Sequence, residues 1–314
     1  MRFKILGISI LLFTYSCSVT QKQNKISNEQ SIEAQQTTYF VSVPITKFSS
    51  FQTPCINVKI EENTFLLKLD LGFRGDITIT KEAIDLTSSK TFLGEKSMYG
   101  IRGKEYTKKI YQIPKAKIGA MAFSPPTLQE ENEEFLKDAQ FLQNDEDSSS
   151  REEKGRLGWE LFRDTKLLID AQNSKVAFCN SLDTLKQEGY SVEKFVKAPL
   201  LLDRGLVEFK ADTPDRSLRC VLDTGTTWNI LNAEPLGDDF IDATVWEPEN
   251  ILEYSFFKIE EKDFGPIFFH RIPIQIPIQI DAILGMEFFK NHLIFLDFAE
   301  QAVYFQKTQK SRST

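Results

Sequence analysis

The chain has few of the residues that most metal and redox centres use. Its 314 residues include two histidines, His270 and His292, and four cysteines, and no two cysteines form a Cys-x-x-Cys pair. Zinc sites in proteins are built from clusters of these two residue types. The sequence therefore gives no support for a metal site.

The chain also lacks a basic surface and a long apolar run. Its net charge is -7 and no basic stripe offsets it, which argues against nucleic acid as a partner. The apolar run at residues 5–13 is too short to cross a bilayer as a mature helix. The remaining composition is that of a soluble globular protein.

The first residues are typical of a targeting segment. Arg2 and Lys4 precede the apolar run, and Ser16-Cys17 follows it. This pattern resembles a bacterial lipoprotein signal, in which a small residue precedes the lipidated cysteine. The resemblance implies a signal peptide over residues 1–16, export to the bacterial envelope and a lipid on Cys17 that holds the protein at a membrane. Plain secretion after cleavage nearby and a retained anchor are the alternatives.

An internal repeat gives the main clue to architecture. Residues 157–178, LGWELFRDTKLLIDAQNSKVAF, align without a gap with residues 284–305, LGMEFFKNHLIFLDFAEQAVYF. Upstream of each copy an apolar run ends in Asp-x-Gly, at Asp70 and at Asp223. Two copies with so long a period predict two similar lobes that face each other.

The predicted domain layout follows from this repeat. Residues 17–38 are polar and predict a disordered tether, residues 39–185 the first lobe, residues 186–306 the second lobe and residues 307–314 a tail. The first lobe carries an acidic insertion at residues 127–154. Short Val-, Ile- and Phe-rich runs, including residues 65–69, 218–222 and 272–280, predict strands, and the class is mainly β. The spacing of apolar residues predicts a helix over 128–142.

Three cysteines remain if Cys17 carries a lipid. An exported chain could oxidise one pair, and Cys55 with Cys179 is the pair expected within one lobe. The alternative is that Cys55, Cys179 and Cys220 are small buried apolar residues without a disulfide.

The second Asp-x-Gly is the strongest chemical motif. Asp223-Thr224-Gly225-Thr226 follows an apolar strand, and Leu284-Gly285 comes about sixty residues later. This order, present in both halves, resembles the aspartic proteases of the pepsin and retropepsin type. The resemblance implies a bilobal pepsin-like fold, with two pseudo-twofold-related β lobes, a cleft between them and one carboxylate from each lobe. It further implies an aspartic endopeptidase, active as a monomer, that binds a polypeptide in the cleft.

Paired carboxylates suit this chemistry for a physical reason. Two carboxylates held close together share one proton, so the ionised one activates a water and the protonated one donates to the substrate carbonyl. The expected catalytic pair is Asp70 and Asp223, and no cofactor is needed. The residues expected to support the two loops are Gly72, Thr224, Gly225 and Thr226. Asp76 does not align with Asp223 and is interpreted as a surface strand residue.

The first-lobe motif departs from the pattern. Leu71 stands where the resemblance places a threonine whose hydroxyl would bridge the lobes. Tyr99-Gly100 resembles the hairpin flap that closes over the substrate, although an ordinary hairpin turn is the alternative. Leu71 keeps two other hypotheses open. One is a catalytically inactive protein of the same fold that binds a peptide or a partner, and the other is a structural envelope lipoprotein whose two aspartates lie far apart.

Overall fold

The computed structural model describes residues 38–49, 52–99, 105–131, 152–233, 248–274 and 278–308. Cys17, the predicted signal peptide and all but the last residue of the predicted tether lie outside these residues, so export and lipidation stay predictions. Gly100 and residues 132–151 of the acidic insertion also lie outside them. Within the described residues, no helix has both the length and the apolar character needed to cross a bilayer.

Thirteen strands are described in the first half of the chain. They are β1 (Phe40–Pro44), β2 (Lys47–Phe48), β3 (Pro54–Ile60), β4 (Asn63–Leu69), β5 (Ile77–Ile79), β6 (Thr91–Tyr99), β7 (Glu105–Gln112), β8 (Ala116–Ile118), β9 (Met121–Phe123), β10 (Thr127–Glu130), β11 (Gly155–Leu157), β12 (Lys166–Asp170) and β13 (Lys175–Cys179). In β4 the residues Phe65, Leu67 and Leu69 are buried and alternate with more exposed ones, as expected of a strand with one face on a core.

Eleven strands are described in the second half. They are β14 (Val196–Pro199), β15 (Glu208–Asp212), β16 (Ser217–Leu222), β17 (Ile230–Leu231), β18 (Ile251–Tyr254), β19 (Lys258–Ile259), β20 (Lys262–Asp263), β21 (Ile267–Arg271), β22 (Ala282–Leu284), β23 (His292–Asp297) and β24 (Ala302–Lys307). The described helices are short: α1 (Lys81–Asp85), α2 (Leu182–Gln187), α3 (Met286–Phe289) and the 3-10 turns Trp159–Phe162, Val192–Lys194 and Pro248–Asn250. The mainly β class expected from the sequence is confirmed.

The strands form one sheet for each half and one that both halves share. The first half builds a ten-stranded sheet along β6-β7-β10-β5-β11-β4-β3-β8-β9, with β2 paired to β3. The second half builds an eight-stranded sheet, β18-β21-β17-β22-β16-β15-β19-β20. The third sheet, β1-β13-β12-β23-β24-β14, takes three strands from each half and joins the lobes.

The shared sheet is symmetric about its centre. Strands β12 and β23 are equivalent in the sequence repeat and pair with each other in antiparallel fashion. Leu168 is the partner of Phe295, the residue with which it aligns in the repeat. A pairing that matches a residue with its own equivalent is the mark of a two-fold axis. The repeat in the sequence is therefore a pseudo-twofold axis in the fold.

Two sequence-based predictions of local structure are wrong in their described residues. Residues 128–130 of the helix predicted over 128–142 lie in β10, because pairing with β5 and β7 outweighs a short local periodicity. Residues 132–142 of that prediction lie outside the described residues. The apolar run at 272–280 forms no strand in its described residues, since Pro273 has no N–H to give to a ladder.

The cysteines and two turn aspartates have plain structural roles. Cys55, Cys179 and Cys220 are buried and free, which agrees with the alternative of small buried apolar residues and not with a Cys55–Cys179 disulfide. Asp170 accepts the Asn173 N–H at 3.1 Å. Its repeat equivalent Asp297 accepts the Glu300 N–H in the same way, also at 3.1 Å. Both aspartates close tight turns.

Candidate active site

Each Asp-x-Gly loop is held by a neighbouring strand that ends in Leu-Gly. In the first lobe β4 runs parallel to β11, and the Asp70 N–H donates to the Leu157 carbonyl at 2.9 Å. In the second lobe β16 runs parallel to β22, and the Asp223 N–H donates to the Leu284 carbonyl at 3.0 Å. The backbone therefore places both aspartates in equivalent positions.

The two Leu-Gly segments that hold these loops differ in the hydrogen bond that their glycine N–H makes. The Gly158 N–H donates to the backbone carbonyl of Asp76 at 2.8 Å, whereas the Gly285 N–H donates to the Asn229 side chain at 3.1 Å. The Asp76 carboxylate accepts both the N–H and the hydroxyl of Thr127 at 2.8 Å. Asp76 is half-buried, so the interpretation as a surface strand residue is wrong. It anchors the loop rather than facing solvent.

The two carboxyls face each other closely across the loop glycines. Asp223 accepts the Gly225 N–H at 2.7 Å, and a Cβ atom built on Gly225 would lie 2.9 Å from Asp223 Oδ1 as well as next to the Asp70 carboxyl. A Cβ atom on Gly72 would lie 2.5 Å from Asp223 Oδ1, and one on Gly225 would lie 2.5 Å from Asp70 Oδ1. No real side chain tolerates such distances. Each glycine is thus the surface against which the opposite carboxylate packs.

The environment of the pair favours a single negative charge. Asp70 is 7% exposed and Asp223 is 1% exposed. Burial and the adjacent charge of Asp70 raise the pKa of Asp223 well above its ordinary value, although the N–H groups of Gly225 and Gly72 oppose this. Asp223 therefore keeps a proton under conditions where an exposed carboxyl would lose it.

Thr224 joins the two lobes through one buried hydroxyl. This hydroxyl donates to the Leu69 carbonyl at 2.6 Å and accepts the Leu71 N–H at 3.0 Å. Leu71 cannot return the contact, because its side chain is apolar and fully buried in the core. The hydroxyl of Thr53 adds a second link, since it donates to the Gly225 carbonyl at 3.4 Å.

Thr226 supports its loop through its backbone. Its carbonyl accepts the Met286 N–H at 2.9 Å, and its N–H donates to the Asp223 carbonyl at 3.4 Å. Within the described part of the chain its buried hydroxyl has no hydrogen-bond partner. Phe73 takes the equivalent place in the first lobe, where its carbonyl accepts the Trp159 N–H at 3.3 Å.

The first predicted flap residue, Tyr99, lies in a hairpin of two strands. Strands β6 and β7 form an antiparallel hairpin in which Tyr99 pairs with Glu105. Tyr99 is the last residue of β6, and Gly100 lies outside the described residues. The role of Tyr99 and Gly100 as a flap stays a prediction.

The duplicated glutamates have structural partners. Glu160 accepts a hydrogen bond from Arg74 Nε at 3.2 Å, and Glu287 accepts the Asn229 N–H at 3.4 Å. Each ties the turn after Leu-Gly to the loop that follows the aspartate. They do not form a second carboxylate pair for catalysis.

Sequence reasoning missed Arg156, which lies directly beside Asp70. Arg156 Nη1 is 3.4 Å from Asp70 Oδ2, and Arg156 Nη2 is 2.6 Å from Glu131 Oε1. In the repeat Arg156 aligns with Ile283, which is fully buried among apolar residues. The sequence offers one signal for it, because a cation in the first half aligns with an isoleucine in the second. That position lies one residue before the repeated segment begins.

Lys108 is a second cation that the sequence did not reveal. It lies on β7, is 2% exposed, and its ammonium is 5.4 Å from the centre of the Phe73 ring. Burial and the neighbouring charge of Arg156 lower the pKa of Lys108 to about 7. The first-lobe side of the aspartate pair is therefore a buried cluster of charges.

The histidines do not assemble a metal centre in the described residues. There, no group of three or more His, Cys, Asp or Glu side chains could hold an ion. His292 is buried, its Nδ1 lies 2.8 Å from the Phe288 carbonyl, and its ring stacks on Phe288 with centroids 4.1 Å apart. Burial lowers the pKa of His292 to about 4.

Comparison with known proteins bears on the fold alone. No family model matches the chain, and no curated protein matches its sequence. Among solved structures it is similar to basic 7S globulin from soybean, with a TM-score of 0.56 over 87% of this chain and 96% of that one. The chain has a bilobal pepsin-like fold. The architecture expected from the sequence is confirmed.

The expected family is not confirmed. Identity to the soybean protein is 8%, at which level a likeness shows fold and nothing finer, and that protein is named a globulin rather than a protease. Assignment of this chain to the aspartic proteases of the pepsin and retropepsin type is therefore wrong as a statement of family. Any claim about activity has to rest on the site itself.

Proposed function

We propose that the chain is an aspartic endopeptidase whose catalytic pair is Asp70 and Asp223. The observation that carries this is the close approach of the two buried carboxyls across Gly72 and Gly225, in equivalent loops of the two lobes. Two carboxyls that share one proton are the minimal apparatus for adding water to a peptide carbonyl. One chain supplies both, so no dimer is needed.

The surroundings assign a role to each carboxyl. Arg156 lies beside Asp70, whereas the equivalent position beside Asp223 is Ile283. Burial raises the pKa of Asp223. We therefore assign the proton to Asp223 and the role of general base to Asp70, which has Arg156 beside it. Activity should fall at high pH as Asp223 loses its proton. Because the pKa of Asp223 is raised, this loss should occur at a higher pH than for an ordinary aspartate.

The proposed reaction uses these two groups alone. Asp70 accepts a proton from a water as the water oxygen bonds to the peptide carbon, and Asp223 donates its proton to the carbonyl oxygen. Asp70 then donates the proton it took from water to the amine nitrogen, Asp223 takes back one hydroxyl proton from the tetrahedral species, and the C–N bond breaks, which releases an acid and an amine and restores the pair. No metal or cofactor takes part. The substrate would lie extended between the lobes beneath the β6–β7 hairpin.

Cleavage of a denatured protein mixture by the whole chain across pH 3 to 8 tests the proposal. Asp70→Asn and Asp223→Asn should each reduce cleavage by a factor of about 10³ or more. Asp76→Asn is the matched control, because an amide oxygen can still accept from Thr127, and it should retain cleavage. A folded parent without cleavage at any pH, or an Asp70→Asn variant as fast as the parent, would refute the proposal.

A non-catalytic peptide-binding protein is the second candidate. Leu71 favours it, because the first-lobe loop lacks the hydroxyl that would return the Thr224 contact. This candidate predicts that the folded chain binds a peptide with a non-cleavable transition-state mimic at its centre and cleaves no peptide. The third hypothesis required the two aspartates to lie far apart, and the approach of both carboxyls to Gly225 contradicts it.

A further inference from the structure

Two cations converge on the first-lobe side of the aspartate pair. The Lys108 ammonium is 5.4 Å and the Arg156 guanidinium 5.7 Å from the centre of the Phe73 ring. Phe73 is fully buried and directly follows the Asp70-Leu71-Gly72 turn. Strands β7 and β11 thus bring two positive charges to the edge of the proposed catalytic centre.

The two cations differ in how they are satisfied. Arg156 contacts Glu131 at 2.6 Å and Asp70 at 3.4 Å. Lys108 is 98% buried, yet its ammonium has no hydrogen-bond partner among the described residues. A buried ammonium without an acceptor lowers the stability of the fold, since desolvation is not offset. Such a group is expected where an external acceptor is to be bound.

The local charge balance is positive. The charged groups that act on Lys108 are Arg156 from β11, Lys96 from the facing strand β6, Glu131 after β10 and Asp70 after β4. Together with Lys108 these are three cations and two carboxylates. One positive charge is left over in a buried place, which favours a ligand that carries one negative charge.

The opposite side of the pair has a different character. Ile283, the repeat equivalent of Arg156, belongs to an apolar cluster with Val221 and Ile230. The pseudo-twofold scaffold therefore offers an apolar wall near Asp223 and a cationic wall near Asp70. A peptide lying across the pair would meet different chemistry on its two sides, which is the basis of side-chain selectivity.

We propose that Lys108 and Arg156 form a cationic subsite beside Asp70 that binds a carboxylate of the substrate, namely an acidic side chain next to the bond between the catalytic carboxyls. This subsite rests on the proposed function for its position in the reaction. Lys108 is the specificity residue, because Arg156 is already engaged by Glu131 and Asp70. A carboxylate at Lys108 would gain a charge-assisted hydrogen bond and relieve the unpaired ammonium.

Binding rather than cleavage tests the subsite, so that it can be judged even if the chain proves inactive. The probes are hexapeptides with a hydroxyethylene group in place of the central peptide bond, amidated at the C terminus, with Glu or Gln at either flanking residue. Calorimetry at pH 6 with the whole chain should show the Glu peptide about tenfold tighter or more at one flanking position. The preference should fade above pH 7, where Lys108 loses its charge.

Lys108→Met should abolish the preference for Glu over Gln. Lys109→Met is the matched control, because Lys109 is the next residue of β7, its side chain is 48% exposed, and it should retain the preference. Lys108→Gln serves if the methionine variant does not fold, as judged by thermal melting. Equal binding of the Glu and Gln peptides by the parent, or an unchanged preference in Lys108→Met, would overturn the proposal.

The remaining outcomes separate the two proposals. A preference for Glu without cleavage of any peptide would retain the subsite and refute the endopeptidase. Cleavage without a preference for Glu would retain the endopeptidase and refute the subsite.

Discussion

Removal of the Thr224 hydroxyl should loosen the junction between the lobes by a predictable amount. In Thr224→Val the side chain keeps its shape but loses the oxygen that donates to the Leu69 carbonyl and accepts the Leu71 N–H. Thr224 is fully buried, so water cannot replace these bonds. A buried donor left without a partner costs about 1–3 kcal/mol, and the carbonyl adds to this. We expect a loss of about 2–4 kcal/mol in the free energy of unfolding.

Thr224→Ser provides the matched comparison. Serine retains both hydrogen bonds and loses one buried methyl group, which costs about 1 kcal/mol. Urea unfolding of the whole chain, parent and both variants, measures the three free energies, and the urea dependence should be the same in all three. The valine variant should be the least stable. If it is as stable as the serine variant, the hydroxyl does not bridge the lobes and the reasoning fails.

Two further substitutions test other parts of the site. In Gly72→Ala the new Cβ would lie 2.5 Å from the Asp223 carboxylate, so the pair must separate, and cleavage should fall about 100-fold or more in the assay used for the aspartate variants; an unchanged rate would show that the close approach is not needed. His292→Gln should reduce the acid sensitivity of the fold. Burial lowers the pKa of His292 to about 4 from an ordinary value near 6.5, so the unfolded chain takes up a proton that the folded chain refuses, and stability is lost as pH falls from about 6.5 to 4. Unfolding free energies at pH 7 and pH 4 should therefore differ less in the variant, and an equal difference in both proteins would contradict the assignment.

The scaffold could be predicted because its determinants are local and duplicated. A strand that ends in Asp-x-Gly and a later Leu-Gly recur in both halves, and each aspartate donates its N–H to the leucine carbonyl of its own half. Backbone hydrogen bonds of this kind depend on chain direction and spacing more than on side-chain identity. The repeat thus predicted the equivalence of Asp70 and Asp223 before any contact between them was known.

The predictions that failed did so where distant partners outweighed local pattern. Leu128 fits both a helical face and a strand, and pairing with Ile77 on one side and Tyr111 on the other decides for the strand. Asp76 directly follows Gly75, and nothing near it in the sequence indicates that its carboxylate accepts a hydrogen bond from Thr127, fifty-one residues later. Such long-range pairings cannot be read from a window of neighbouring residues.

The cationic wall could not be predicted for a related reason. Lys108 belongs to a strand in which exposed and buried residues alternate, and the alternation alone does not say which face turns inward. Burial of a lysine is rare enough that the opposite face would have been the natural choice. Arg156 lies one residue before the repeated Leu-Gly, where the two halves cease to agree.

These departures from symmetry give the two carboxyls different neighbours. An exactly symmetric pair would share its proton equally, whereas here Arg156 stands on one side and Ile283 on the other. The attachment of the first-lobe loop does not depend on residue 71, since one Thr224 hydroxyl contacts both the carbonyl before Asp70 and the N–H after it. The first-lobe motif therefore lacks a reciprocal hydrogen bond, but it retains the attachment that holds its aspartate in place. Where the sequence departs from its own repeat, at Leu71 and Arg156, it places a cation beside Asp70 and leaves an apolar residue, Ile283, in the equivalent position of the other lobe.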